Sequence, residues 1–424
     1  MTLIFFLIYN FIFVPVFFLL IHLAAIFNPK LRKGVSGRYW IQMVLRRAQK
    51  EWKNKQVVVV HCASMGEFEH VKPLLLGLKE RRPAIYTIVL FFSPSGYENV
   101  KTFPAVDLFL YSPFEWILPI WRFVRKVKPT VWIIAKHDVW PDQVWFARLF
   151  DIPCVLINAS LHEQSSRLLW FTRKFHQSIY QYFSKILAIS ESDRLNFLKL
   201  TEPSQIVVAG DTKYDQVLYR NQEFSRINII PDEVKKNRWI FVAGSTWPED
   251  QFYLIKAIKP LMQANGRILT IICPHEPTEQ HLHEVVQSFR RKEIILLSDI
   301  KNYADQSVIL IDRIGVLANI YGLGKVAYVG GSFKQNVHNV LEPAVYKIPV
   351  IFGPVNRNSH EAQLLKANRG GWEVHNATEI EFLVRKFLLN DVYRQESGLK
   401  AYQIVEDNRG ATKKTVEHII SYLK

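Results

Sequence analysis

Short apolar runs, each closing on a glycine or a polar cluster and each leading into a helix-like stretch, recur along most of the chain. The first, Gln56–Val60, runs into HCASMGEFEHVKPLLLGLKE, where Val71, Leu74, Leu75 and Leu78 fall at helical spacing. Ala84–Phe92 ends in SPSGYE, Thr130–Ala135 in KHDVWPD, Pro153–Asn158 in NASLHEQSSR, Lys185–Ser190 in SESDRLNFL and Ile206–Ala209 in GDTKYD. A polar, charged stretch from Arg220 to Arg238, interrupted by Pro231, reads as a linker. The pattern then restarts with Trp239–Ala243 before GSTWPED, Ile268–Cys273 before PHEPTE, Glu293–Ser298, and Val308–Ile311 before DRIGVLANIYG. Strands alternating with helices predict a parallel sheet covered on both faces, here twice over, and 424 residues suit two such α/β domains. Ligands of these sheets bind beyond the carboxyl ends of the strands, where every polar motif falls.

One stretch concentrates the binding signal: Val326–Pro354, VAYVGGSFKQNVHNVLEPAVYKIPVIFGP. A strand, Val326–Val329, ends in Gly330, Gly331 and Ser332. A loop with His338 and Asn339 follows, then a helix-like opening at Leu341-Glu342-Pro343 and a second strand, Pro349–Phe352. Glycines permit positive φ and close backbone approach, and a helix start offers free N–H groups to an anion, so a nucleotide or phosphate pocket is expected. The plainer reading is a tight turn before a capped helix. Gly244 and Ser245, with Thr246, end another strand of the same half and could cap a helix or hold a phosphate.

Glu67 falls on the first turn of a helix directly beyond a strand end. It is either a carboxylate complementing the helix dipole or a general base. The dipole favours the ionised form and weakens a base unless burial raises its proton affinity. Neither GxxxxGK[ST] nor GxGxxG occurs, so a P-loop nucleotidase or a dinucleotide enzyme is unsupported. Cys62, Cys154 and Cys273 form no CxxC pair, and His61, His137 and His162 lack a metal-ligand spacing. No metal and no cofactor is expected.

Leu3–Phe27 carries no formal charge, and Asn10 and His22 are its strongly polar side chains. It is long enough to cross a hydrocarbon core of about 30 Å, Pro15 notwithstanding. It lacks the basic start of a signal peptide, so an uncleaved anchor over residues 1–28 is expected. Lys30, Arg32, Lys33, Arg38, Arg46, Arg47 and Lys50 crowd its far side, which places the body of the protein in the cytoplasm. The net charge of +16 admits nucleic acid, an anionic membrane or a phosphorylated substrate as partner. Much of it near Trp40 and Trp52 reads as a membrane-facing patch, and no nucleic acid is expected.

Two Rossmann-like halves, one with a Gly-Gly and His-Asn…Glu-Pro pocket, resemble a GT-B glycosyltransferase. The specific resemblance is to the 3-deoxy-D-manno-octulosonic acid (Kdo) transferase family, and it spans nearly the whole chain. It is carried by the N-terminal anchor, HCASMGE at 61–67, SPSGYE at 93–98, Trp140-Pro141, NASLHEQS at 158–165, AGDTKYD at 209–215, AGST at 243–246, PHEP at 274–277, VGGSFKQNVHNVLEPA and PVIFGP. The resemblance implies two domains facing a central cleft: an acceptor domain at 29–220 and a donor domain at 221–424. It implies a CMP-Kdo donor, a tetraacylated lipid A precursor as acceptor, inversion at the anomeric carbon, and residence on the cytoplasmic side of the bacterial inner membrane. By motif, Glu67 would be the general base. Gly244, Ser245, His275, Gly330, Gly331, Ser332, His338, Asn339 and Glu342 would bind the donor. Ser64, Gly66, Ser95, Asp138, Arg167 and Lys213 would line the acceptor side. Ser160 stands where the family's motif has an arginine, with Arg167 a possible substitute. CPHEP lacks the family's first arginine, Val316 replaces an acidic residue, and KHDVW replaces the commoner ETELW. The same fold using another nucleotide sugar, or a noncatalytic binding module for anionic lipid or nucleic acid, are the alternatives.

Overall fold

The structure, a computed structural model, describes residues 2–100, 102–224 and 228–423. It comprises two compact units, Met1–Gln216 with Arg409–Lys424, and Val217–Asn408.

The first unit is built on β1 (Val57–Cys62), β2 (Tyr86–Phe91), β3 (Leu108–Tyr111), β4 (Val131–Ala135), β5 (Cys154–Ala159), β6 (Lys185–Ala188) and β7 (Ile206–Val208). They pair in parallel in the order β3-β2-β1-β4-β5-β6-β7. The unbroken valine run of β1 follows from burial on both faces: Val57 and Val59 enter one core, Val58 and Val60 the other. Strand order reverses between β1 and β4, the point at which such sheets bind ligands.

The second unit repeats the plan with β8 (Trp239–Thr246), β9 (Ile268–Pro274), β10 (Ile294–Leu296), β11 (Val308–Leu310), β12 (Val326–Val329), β13 (Val350–Phe352) and β14 (Gly371–Glu373). These are parallel in the order β10-β11-β9-β8-β12-β13-β14, with the reversal between β8 and β12. Strands β3 and β14, absent from the sequence reading, each form one edge of their sheet, opposite β7 and β10.

Two boundaries differ from expectation. The helix Thr212–Phe224 carries the chain through Arg220, so the first part of the expected linker is helical. The closing helix, Ala411–Ile420, belongs to the first unit and not to a domain running to 424. Val416 and Ile419 are buried in the core of the helix Met65–Arg81, and the Asp215 carboxylate accepts from the Gly410 and Thr412 N–H groups, both at 2.7 Å.

Thr2–Phe27 is one continuous helical rod of 26 residues, long and apolar enough to cross a membrane. A π-turn at Tyr9–Phe13 accommodates Pro15, with the Val14 N–H reaching back to the Tyr9 carbonyl. The rod does not stand apart from the first unit. Phe6 and Tyr9 pack edge-on to Trp145 at 5.4 and 5.6 Å, and Phe18 packs on Phe114 at 5.2 Å. Its other side, including Leu3, Phe11, Leu19, Leu23 and Phe27, is exposed.

Candidate active site

In the first unit the polar residues gather at the β1/β4 reversal. His61, wholly buried on β1, sits with Nε2 3.0 Å from an Asp138 carboxylate oxygen. The Gln143 side-chain nitrogen faces Nδ1 at 3.4 Å, so Nδ1 accepts and Nε2 carries the proton given to Asp138. The Trp140 indole also donates to Asp138, at 3.1 Å. Burial would raise Asp138, but these hydrogen bonds and the neighbouring His61 hold its carboxyl below the ordinary aspartate value.

Glu67 lies on the first turn of the helix Met65–Arg81 and is only 7% exposed. Ser64, extended at the N-cap position, makes no capping bond with its side chain. Glu67 folds back instead, and one carboxylate oxygen accepts from the Ala63 N–H at 2.5 Å. Its other oxygen has no hydrogen-bond partner among the described residues. Burial pushes the Glu67 carboxyl above its ordinary value. The Ala63 N–H opposes that, the Asp138 charge adds to it, and His61 and Lys136 oppose it. Desolvation therefore wins over the helix start, the condition under which this carboxylate is a usable base. A Cβ at Gly66 would meet nothing nearer than the Ser64 hydroxyl, 3.8 Å away, so the protein's own packing leaves the space before this turn open.

The remaining acceptor-side residues are spread over neighbouring strand ends. Lys213 pairs with Asp211 at 3.2 Å, and burial lowers its ammonium against that attraction. Lys136 acts electrostatically on both Lys213 and Glu67, which joins the ends of β4 and β7 to the Glu67 turn. Arg167, on the short turn Ser166–Leu168, donates to the His137 carbonyl at 2.8 Å, beside Asp138. Ser160 is engaged elsewhere, donating to Asp193. The Ser95 hydroxyl meets that of Ser93 at 2.7 Å beyond β2. His61, Lys136 and Gln143 were missed as site residues; a polar residue inside an all-valine strand was the available signal for His61.

The second unit gathers its polar residues at the β8/β12 reversal, and here the sequence expectation needs correcting. Gly331 does adopt positive φ, 82°, but its N–H is taken by the Asp250 carboxylate at 2.8 Å. The Gly330 N–H donates to the Gly244 carbonyl at 2.9 Å, and a Cβ at Gly330 would lie 2.3 Å from the Ser245 carbonyl oxygen. The wholly buried Ser332 hydroxyl donates to the Val329 carbonyl and accepts from the Gly353 N–H at 2.7 Å. The Gly330 and Gly331 N–H groups and the Ser332 hydroxyl are thus spent on building the turn. Gly244 is likewise a packing glycine, since a Cβ there would overlap the Tyr321 hydroxyl at 2.1 Å. The helix at Leu341–Ala344 is a single turn, too short to present a helix-dipole site.

What the second unit does present is Ser245, an aromatic stack and an ion pair. Ser245 is held at φ 52°, a conformation costly for serine, and its hydroxyl has no hydrogen-bond partner among the described residues. Beside it the His275 ring stacks on Trp247 at 4.9 Å and on His338 at 4.3 Å, and the Trp247 indole donates to His338 Nε2 at 3.0 Å. Burial, then the neighbouring His275, lowers His338 to about 4, so it is a neutral acceptor at physiological pH. Asn339 caps the Leu341 N–H at 3.1 Å, and Glu342 pairs with Arg220 at 2.9 Å. Trp247, Asp250 and Arg220 were not anticipated. Among the described residues no group of three or more His, Cys, Asp or Glu side chains is arranged to hold a metal ion.

The family described as 3-deoxy-D-manno-octulosonic-acid transferase (kdotransferase) matches residues 39–216. The 3-deoxy-D-manno-octulosonic acid transferase of Haemophilus influenzae is 27% identical over 420 residues, covering 97% of this chain and 96% of the relative. The protein of the same name from Aquifex aeolicus is 26% identical over 329 residues, 77% of this chain and 84% of its own. Among solved structures, a UDP-GlcNAc 2-epimerase from Neisseria meningitidis aligns with a TM-score of 0.58 at 16% identity, over 86% of this chain and all of its own. A glycosyltransferase from Rickettsia africae aligns with a TM-score of 0.53 at 12% identity, over 88% of this chain and all of its own. At those identities the structural likeness speaks for the fold alone.

Proposed function

We propose that this chain, which resembles Kdo transferases along nearly its whole length, is a GT-B Kdo transferase that moves Kdo from CMP-Kdo to an acylated, phosphorylated lipid A precursor, with inversion at the anomeric carbon. The observation that carries the mechanism is Glu67, a carboxylate whose surroundings raise its proton affinity at the β1/β4 reversal. Ionised Glu67 takes the proton from the acceptor hydroxyl as the oxygen attacks. The bond from the anomeric carbon to the CMP phosphate breaks, and its electron pair leaves with the phosphate. An activated nucleotide leaving group needs no strong general acid, so one carboxylate suffices.

Ser245, His275 and Asn339 are the donor-side groups best suited to the nucleotide phosphate, and Glu342 with Arg220 to the ribose hydroxyls and the charged Kdo. Gly244, Gly330, Gly331, Ser332 and His338 hold that surface in shape. Arg167 and Lys213 supply cations on the acceptor side where the family's usual arginine is absent.

Attachment to the bacterial inner membrane through Thr2–Phe27 is part of the same reading. About 39 Å of helix with an exposed apolar side suits a bilayer, and Lys30, Arg32 and Lys33 follow it on the cytoplasmic side. The direct test is release of CMP from CMP-Kdo by the purified full chain. Release that depends on the lipid acceptor is expected; release of UDP from a UDP-sugar, with none of CMP, would transfer the protein to another donor class.

A further inference from the structure

Trp140 stands one residue before the helix Pro141–Leu149, and the proline that follows it favours the extended backbone it adopts, φ −99° and ψ 122°. Its ring stacks on Phe92 at 4.6 Å and meets Phe17 of the apolar rod at 6.0 Å. Arg38 fastens Phe92 in turn, donating to its carbonyl at 2.6 Å with the guanidinium 4.9 Å over the ring. The Trp140 indole N–H and His61 Nε2 converge on the same Asp138 oxygen, Oδ2. One side chain of the rod is therefore a single residue away from the carboxylate whose charge raises Glu67.

A second route runs through the first turn of the same helix. Asn10 of the rod holds Asp142, and the next residue, Gln143, faces His61 Nδ1 with its side-chain nitrogen and donates to Ser112 at 3.2 Å. Phe18 of the rod packs on Phe114 and Trp116, the residues either side of Glu115, which accepts from the Asp142 N–H. Asn10, Ser112, Asp142, Gln143 and His61 are wholly buried, so solvent does not loosen these links. Close-packed side chains do not yield one at a time, and a shift of the rod is passed to Trp140 and Gln143.

The groups that face Asp138 are His61, Trp140 and His137; those that face Glu67 are the Ala63 N–H, Asp138, His61 and Lys136. Leu3–Phe27 carries no formal charge, so the rod reaches Glu67 through the placement of Asp138 and not through a charge of its own. We propose that Phe17 and Asn10 are positioning residues for the transfer: the seated rod holds Trp140 and Gln143, these hold Asp138, and the Glu67 site is complete only with the rod in its seat. The inference rests on the reading of Glu67 as the base.

The test is a mutant cycle on the full chain in detergent micelles, assayed across pH with CMP-Kdo and tetraacylated lipid A precursor. Phe17→Ala is expected to lower kcat several-fold with little change in acceptor KM. It should also move the acid limb of kcat/KM toward lower pH, in the direction of Asp138→Asn and by less. Asn10→Leu should do the same, and neither should move the limb further once Asp138 is Asn. Leu19→Ala, on the exposed side of the same rod, should leave the limb in place. Should Phe17→Ala not fold, Phe17→Leu removes the ring alone and makes the same comparison. A lower melting temperature with an unmoved limb overturns the proposal and leaves Phe17 a packing residue, as does a shift that persists in Asp138→Asn.

A readout without substrates separates this inference from the chemistry it rests on. The indole N–H resonance of Trp140, assigned with Trp140→Phe, and the imidazole resonances of His61, assigned with His61→Gln, should shift in Phe17→Ala and not in Leu19→Ala. Unmoved resonances overturn the proposal whatever sugar the chain transfers. Shifted resonances in a chain whose Glu67→Gln variant stays fully active would uphold the seating of Asp138 and reject the base instead.

Discussion

The side-chain amide of Asn10 donates to the Asp142 carboxylate at 2.8 Å, and both residues are wholly buried. This bond fixes the apolar rod to the helix Pro141–Leu149 of the first unit. Asn10→Leu would leave a buried carboxylate oxygen unsatisfied, a loss of about 1–3 kcal/mol. A lower melting temperature is expected, together with faster hydrogen exchange confined to residues 2–27 and the helix they touch. Unchanged exchange there would mean the rod is held by its aromatic contacts alone.

Asp142 and Glu115 form a buried acid pair, the Asp142 N–H donating to Glu115 at 2.6 Å. Burial raises Asp142 from 3.8 to about 7, with the Asn10 bond opposing; burial and then the Asp142 charge raise Glu115 further. Among the described residues one oxygen of each carboxyl has no hydrogen-bond partner, so neither charge is fully compensated. The folded chain thus holds a proton that the unfolded chain releases near pH 4. The stability this gives is fully present below that value and is lost as pH rises through about 7. Thermal melts from pH 4 to 8 are expected to show a fall across this window that Asp142→Asn flattens; the same slope in both proteins would contradict the assignment.

Glu67→Gln removes the base and is expected to lower kcat by at least about 100-fold. Because Glu67 must be ionised, activity should fall on acidification, with the midpoint above the ordinary glutamate value. The Asp138 charge contributes to that elevation, so Asp138→Asn should move the acid limb of kcat/KM to lower pH. An acid limb that stays in place in Asp138→Asn would separate these two carboxylates.

Ser332 and Ser245 separate structure from binding. Ser332→Ala strips the buried Gly353 N–H of its acceptor and should cost about 1–3 kcal/mol of stability with little change in donor KM. Ser245→Ala removes a hydroxyl with no internal partner, so stability should hold while donor KM rises several-fold. Thermal melts and donor titrations on the two variants distinguish the roles; the opposite pattern would return Ser332 to the ligand.

The interior of both sheets was legible because strands buried on both faces read as continuous apolar runs, as the valines of β1 do. The edges were not. In β3 Leu108 and Phe109 are only half-buried, and β14, Gly371–Glu373, has one fully buried residue, so neither carries a sustained apolar signal. Glu67 could be found because its place depends on local chain geometry, one turn beyond a strand. Its setting could not, since the His61–Asp138 bond joins residues 77 apart in sequence. Glycines at 330 and 331 pointed correctly to a tight turn, but which groups the turn would consume depended on Asp250, far along the chain. Asn10 stood out as polar within an apolar run while its partner lay 132 residues away. The return of Ala411–Ile420 to the first unit left no local trace beyond Gly410 and its left-handed turn.

The central claim is tested most directly by the mass of the lipid product. Full chain is incubated with CMP-Kdo and tetraacylated lipid A precursor, and the lipid is weighed by mass spectrometry beside a Glu67→Gln control. A gain of whole Kdo units with the native chain and none with the variant is the expected result. A gain of equal size with Glu67→Gln, or no gain from CMP-Kdo alongside transfer from a UDP-sugar, would contradict it.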